Sequence, residues 1–363
     1  MKHLTDLTCC RAIFAAWVFA YHANLQSGYA HVLGMAGGVV DRGALGVDGF
    51  FILSGMILAY AHPDLQPNFA QARDFWGKRL ARIYPVHLAM IVAMALMVGS
   101  AWALGLHPRD PQRFGLDEVL NHLLLVHAWG FSNRWAWNYP SWSISAEWAG
   151  YLLFPYLWAL LRGQNGTGVA IVLPLTLLGV IAVRVIAHQQ GLSLTFDGGV
   201  MRFFPEFIAG IAIMPLLRLL PSNLDGRLVA LAGSLGFVVA AAWNEEILTV
   251  AAMWVMLAGL MHAGLQERPA VLGRIPGMRW LGEVSYSYYM SFALAETLQA
   301  TIWRHFAVSP HDHKALYVFT TTAATLGIAT LTWLLVERPG MRAYAAFSQR
   351  RARARLRGIP ARS

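Results

Sequence analysis

The sequence predicts an all-α, polytopic membrane protein with about ten transmembrane helices and both termini in the cytoplasm. Composition is the first reason: 57% of the 363 residues are hydrophobic and 13% are charged, against about 25% charged in an ordinary soluble domain. So apolar a chain must turn its excess towards lipid, and 14 Trp, 12 Tyr and 18 Phe exclude intrinsic disorder. The second reason is a series of ten apolar stretches bounded by charges or by Gly and Pro, at 7–26, 45–61, 84–106, 143–162, 168–189, 202–220, 227–242, 247–265, 284–307 and 316–336. The third is charge asymmetry. With the amino terminus placed inside, nineteen of the 28 Lys and Arg fall in cytoplasmic segments and seven on the opposite side, the bias that orients membrane proteins.

The first stretch contains Arg11 and lacks a small-residue cleavage site, so it is expected to remain as a helix and not to be removed as a signal peptide. Cys9 and Cys10 are adjacent within it, badly placed for a disulfide or a zinc site, and read as packing residues. Arg11 and His22 are ionisable residues inside a span, which makes both functional candidates. Eleven helical steps separate them by about 16 Å and return them to nearly one face, so they can line one cavity. The plainer alternatives are an arginine that snorkels to the headgroups and a histidine satisfied inside the bundle.

The second stretch opens with Gly46, Val47, Asp48, Gly49, Phe50 and Phe51 and runs on to Ser54 and Gly55. Asp48 enters from the outer side at much the depth of His22, where a carboxylate could orient the imidazole or complement a helix N-terminus. Gly46, Gly49 and Gly55 permit close helix approach. Ahead of the third stretch, Arg79 and Arg82 are spaced i, i+3, share a helix face and could fork onto phosphate oxygens. Retention of positive charge inside would explain the charge without the spacing. With Arg11 at the same membrane face, three guanidiniums could converge on one polyanion.

The segment 116–129 is apolar but carries Asp117, Glu118, Asn121, His122 and His127, and is expected to form an interfacial or re-entrant helix. The fourth stretch begins Ser141, Trp142, Ser143, Ile144, Ser145, Ala146, Glu147, where Glu147 either caps the helix or enters the outer-half cavity with His22 and Asp48. Glu206, after Arg202 and Pro205, is a further acidic candidate that could equally pair with Arg202. His311, Asp312 and His313 are expected in a solvated loop, not on a metal. Eight arginines lie between Arg338 and Arg362, a polybasic tail suited to anionic lipid and to orientation, not to nucleic acid.

In order and spacing these motifs resemble the acyltransferase family 3 integral membrane proteins, over about residues 4 to 342. The resemblance is carried by Arg11 with His22, by Gly46 to Gly55, and by Arg79 and Arg82 followed by Ile83 and Pro85. It continues through Trp142, Ser143, Ser145 and Glu147, Ser285, Tyr286, Ser287 and Tyr289, and Glu337, Arg338 and Pro339. Where many members have a histidine after the serine-tyrosine run, this chain has Phe292, and no role of that histidine carries over. Many members also bear an extracytoplasmic hydrolase-like domain, which is not expected here.

The resemblance implies a membrane acyltransferase domain over 1–340 with an Arg-rich cytoplasmic tail over 341–363, in a bacterial inner membrane. It implies transfer of an acyl group, most simply acetyl, from cytoplasmic acyl-CoA to a hydroxyl of an exported or cell-envelope carbohydrate, with no metal. Arg11, Arg79 and Arg82 would hold the donor. His22 would act as general base or acyl carrier, with Asp48 or Glu147 to orient it. A transporter or flippase of a small anion or lipid-linked glycan, using the same arginines, is the alternative.

Overall fold

A computed structural model describes residues 4–105, 110–187, 194–268 and 271–357. Lys2, Arg109 and Arg362 of the charge distribution lie outside these residues. In chain order the helices are α1 (Thr5–Ser27), α2 (Met35–Asp41), α3 (Gly46–Ala61), α4 (Phe69–Ala103), α5 (Val119–Leu123), α6 (Trp142–Leu161) and α7 (Gly166–Ala187), then α8 (Gly199–Leu217), α9 (Gly226–Ala242), α10 (Glu246–Leu265), α11 (Met278–His305), α12 (Lys314–Thr332) and α13 (Arg338–Arg357). Among the described residues there is no β-strand.

A helix falls on each of the ten predicted stretches, but they are not alike. Among the described residues, six helical segments are long and apolar enough to cross a membrane: Gly43–Ala61, Phe69–Ala103, Gly166–Ala187, Gly199–Leu217, Glu246–Leu265 and Lys314–Arg350. The helix Gly226–Ala242 is apolar but shorter. The other three, α1, α6 and α11, each carry several buried polar residues. In α11, for example, Ser285, Ser287, Ser291 and Glu296 are all buried. Polar side chains inside a bilayer must turn towards other helices, so these helices sit in the middle of the bundle. Buried residues of α1 contribute to two apolar clusters, Ala15, Val18 and Phe19 to one and Leu7, Phe14 and Trp17 to the other.

Three boundaries differ from the sequence reading. The third stretch, expected from residue 84, begins at Phe69, where the Asn68 side chain accepts from the Gln71 amide and caps the helix. Arg79 and Arg82 are therefore inside α4 and not ahead of it. The stretch 116–129 forms no single helix: a five-residue α5 is followed by turns that bring His127 back beside Asn121. The position 341 expected to open the tail lies inside α13, which a π-helical turn over Trp333–Glu337 joins to α12.

One of the close crossings in the bundle is between α3 and α8. A Cβ on Gly55 would strike the Phe207 carbonyl oxygen, and one on Gly210 would strike that of Ile52. Only glycine lets the two backbones meet at that distance. Gly210→Val is expected to push the pair apart at a cost of about 1–3 kcal/mol or more. The check is a lower thermal unfolding midpoint of the purified protein in detergent, with Gly163→Ala, where a Cβ meets nothing within 4 Å, as the neutral control.

Candidate functional site

A cavity of about 460 Å³ opens among α1, α3, α4, α6 and α11. Arg11, Arg79 and Arg82 line it together with Ser54, Glu147, Tyr151 and Tyr286. The helix directions explain the convergence. The first halves of α1, α4 and α11 and the last half of α3 lie at one end of the bundle, so residues far apart in sequence meet at one depth.

The three guanidiniums differ in their partners. Arg82 pairs with Glu337 at the end of the π-helical turn, and Ser287 Oγ donates to the second oxygen of that carboxylate at 2.5 Å. Arg79 lies 5.7 Å from the Phe75 ring centroid, and its buried Nε has no hydrogen-bond partner. Arg11 is partly buried, lines the cavity, and makes no hydrogen bond or ion pair among the described residues. Removing a cation from water without a partner is costly, so two guanidiniums without an ion pair, set against the single Glu147 carboxylate in the same cavity, leave a place for an anion.

Glu147 belongs to this cavity and not to the layer of His22. Its Oε1 accepts from Ser54 Oγ at 2.5 Å and from Tyr151 Oη at 2.6 Å. Asp48 does not reach His22 either. Arg202 Nε donates to its Oδ1 at 2.9 Å, and the guanidinium also bonds Oδ2, forming a bidentate pair with both side chains buried. Glu206 is buried beside this pair on α8, with Oε2 unpartnered. The expectation that Asp48 or Glu147 orients His22 therefore has no counterpart in the geometry. The Arg202 guanidinium, across the α3–α8 crossing, takes the Asp48 carboxylate.

His22 has a different neighbour. Its Nδ1 lies 3.2 Å from Tyr139 Oη, and the Tyr139 hydroxyl donates to Glu296 Oε2 at 2.7 Å. A hydroxyl that donates to the carboxylate can only accept from the imidazole, which places the His22 proton on Nδ1 and leaves Nε2 as the basic nitrogen. Arg113 lies 5.0 Å from the Tyr139 ring centroid. The second Glu296 oxygen, Oε1, is buried and unpartnered. Sequence reading missed both Tyr139 and Glu296. Glu296 had a signal, an acid in the middle of the ninth stretch; Tyr139, in the connection ahead of α6, had none.

Phe292 stacks against His22 with ring centroids 4.9 Å apart, and Tyr289 lies 5.7 Å from Phe292. Because Tyr289 also lines the cavity, a run of two aromatic rings links the arginine-lined space to the imidazole. On the far side of Tyr139, His127 Nε2 lies 3.0 Å from Ser141 Oγ, and the His122 and His127 rings stack at 3.9 Å. Among the described residues no group of three or more His, Cys, Asp or Glu is arranged to hold a metal ion.

A multi-pass helical bundle with an anion-receptive cavity and a partly buried, oriented imidazole beyond it defines a membrane-embedded protein that handles a charged ligand, an enzyme or a carrier. The chain belongs to acyltransferase family 3, whose acyltransferase domain matches residues 4–337, and is an acyltransferase. It is 29% identical over 344 residues to the exopolysaccharide production protein ExoZ of Rhizobium meliloti, covering 89% of this chain and 94% of ExoZ. It is 34% identical over 169 residues to the acyltransferase MdmB of Streptomyces mycarofaciens, covering 44% of this chain and 40% of that one. It is 23% identical over 378 residues to the peptidoglycan O-acetyltransferase OatA of Listeria monocytogenes, covering 93% of this chain and 56% of OatA. The chain thus spans about half the length of OatA, and its match to MdmB is shorter still. No solved structure matches.

The Asp48–Arg202 geometry predicts that Asp48→Asn or Arg202→Gln, by leaving one buried partner unpaired, lowers stability by about 3–5 kcal/mol. Replacing both by apolar residues, Asp48→Leu with Arg202→Met, should recover most of that loss. Thermal unfolding midpoints of the three variants in detergent make the comparison.

Proposed function

We propose that this acyltransferase moves an acyl group, most simply acetyl, from cytoplasmic acyl-CoA to a hydroxyl of an exported or cell-envelope carbohydrate in a bacterial inner membrane. In this reading all ten long helices cross the bilayer with both termini inside, and residues 1–340 form the transmembrane domain ahead of a cytoplasmic tail over 341–363. One observation carries it: Arg11 and Arg79, which make no ion pair, line a cavity that Tyr289 also lines, and Tyr289 and Phe292 link that cavity to the His22–Tyr139–Glu296 chain. The names of ExoZ and OatA, an exopolysaccharide production protein and a peptidoglycan O-acetyltransferase, support the carbohydrate acceptor.

Arg11, Arg79 and Arg82 hold the donor, its phosphates on Arg79 and on Arg82, which Glu337 holds ready. The slender arm of the donor lies along the cavity and brings the thioester to the Tyr289–Phe292 pair, which must turn aside for it to reach His22. An acceptor hydroxyl approaches from the other side. His22 Nε2 takes the hydroxyl proton as the oxygen bonds to the thioester carbonyl carbon. The carbon–sulfur bond then breaks, and the leaving thiolate takes the proton back from His22. Tyr139 and Glu296 hold the imidazole in the required tautomer and stabilise its cation, as the carboxylate does in a hydrolase triad.

His22→Ala is expected to lower transfer by about 10²–10⁴-fold while donor binding persists, whereas Arg79→Ala mainly raises the donor KM. Transfer of radiolabel from acetyl-CoA to envelope glycans, in membranes matched for the abundance of each variant, reads both. Full activity in His22→Ala would overturn the mechanism.

Tyr139 and Glu296 are positioning residues, and their contribution shows in the pattern of variants. Tyr139→Phe and Glu296→Leu should each reduce kcat by about tenfold or more with little change in donor KM, and the double variant should be no worse than either alone. Glu296→Gln, which keeps an acceptor oxygen for the Tyr139 hydroxyl, should restore most of the rate. Equal loss in Gln and Leu variants would assign Glu296 a packing role only.

A further inference from the structure

Arg79 and Arg82 face a second space as well as the deep cavity. Between α4 and α13 lies an open groove of about 390 Å³ whose walls include Lys78, Arg79 and Arg82 on one side and Tyr344 and Ser348 on the other. The two spaces share the arginine pair, so one ligand could occupy both and pass between the two guanidiniums.

The groove and the cavity differ in chemistry. Arg82 is neutralised by Glu337, but neither Lys78 nor Arg79 forms an ion pair among the described residues. The groove thus presents about two uncompensated positive charges beside a tyrosine ring, the combination that receives phosphates and a stacked base. The cavity beyond is lined by Val47, Phe50, Leu53 and Ile57 with hydroxyls of Ser54 and Tyr151 and, besides the arginine pair, the opposite charges of Arg11 and Glu147, and suits a slim arm without net charge. Tyr344 and Ser348 are spaced i, i+4 on α13, so both face α4 while the opposite side of the helix is exposed.

α13 lies beyond residue 337, where the match to the acyltransferase domain ends. Its position over α4 follows from the π-helical turn at Trp333–Glu337, which carries Glu337 onto Arg82 and directs the next helix across the arginine pair. We propose that α13 is the outer wall of the donor site: the phosphorylated adenosine of a coenzyme A-type donor sits in the α4–α13 groove, with its base against Tyr344 and its phosphates on Lys78 and Arg79. The arm then enters the cavity between Arg79 and Arg82. This rests on the acyl-CoA reading above, and it turns the basic tail from an orientation signal into part of the binding site.

The test compares acetyl-CoA with acetyl-pantetheine, which carries the same thioester and arm but no nucleotide, in membranes containing the full chain. Tyr344→Ala and Lys78→Ala should each raise the KM for acetyl-CoA about tenfold relative to that for acetyl-pantetheine, equivalent to about 1.4 kcal/mol of binding. Gln349→Ala, on the exposed side of α13, serves as the control. Equal shifts for the two donors, or no shift for either, would overturn the assignment. Direct binding of adenosine 3′,5′-bisphosphate to the purified protein separates this proposal from the acyl-CoA reading. If neither donor is used, that reading fails; binding that is lost in Tyr344→Ala and Lys78→Ala still upholds the groove as a nucleotide site, and no binding removes both.

Discussion

A guanidinium inside an apolar bundle has to be met by a carboxylate, by an aromatic face or by a ligand, and this molecule is organised by which of these each arginine receives. Arg202 receives Asp48 in a buried bidentate pair that locks α3 to α8. Arg82 receives Glu337, which ties α4 to the turn after α12. Arg113 receives the Trp137 carbonyl, with Nε and Nη2 donating at 3.2 and 3.1 Å, and the face of Tyr139. Arg11 and Arg79 receive no carboxylate among the described residues. The first three are structural cations whose compensation is internal. The last two stand in a cavity that an anion can enter, and this difference marks out a site from a set of similar residues.

The same accounting applies to the acids. Asp48 and Glu147 are both in spans, and both look like partners for His22 from their expected depth. Each is held instead by a donor that lies nearer: Asp48 by a guanidinium across a glycine-mediated helix crossing, and Glu147 by the hydroxyls of Ser54 and Tyr151. The carboxylate connected to His22 is Glu296, through the Tyr139 hydroxyl. Phe292 occupies the position where many members of the family have histidine, and here it packs on the His22 ring. With no second imidazole at that position, a phenol and a carboxylate one helical turn further along α11 orient the first.

Two aromatic rings, Tyr289 and Phe292, link the arginine-lined cavity to His22. Under the proposed acyl-CoA mechanism these rings must turn aside for a thioester to reach the imidazole, so the donor space and His22 stay separate until they do.

The sequence by itself determined the class of fold, the location of the ten long helices, and the convergence of Arg11, Arg79 and Arg82 at one end of the bundle. Each follows from a one-dimensional pattern: apolar run length against bilayer thickness, charge at the ends of runs, and the 3.6-residue repeat that puts Arg79 and Arg82 on one face. Only the tertiary structure decided which acid meets which base. Asp48, Glu147 and Glu296 are equivalent as residues, each a carboxylate at intermediate depth, and their partners depend on helix crossings set by Gly55 and Gly210 and on a connecting segment that delivers Tyr139 to the bundle. The place of α13 was likewise out of reach of the sequence, because a π-helical turn adds one residue to a helical repeat and redirects everything after it, while leaving no mark in composition or hydropathy.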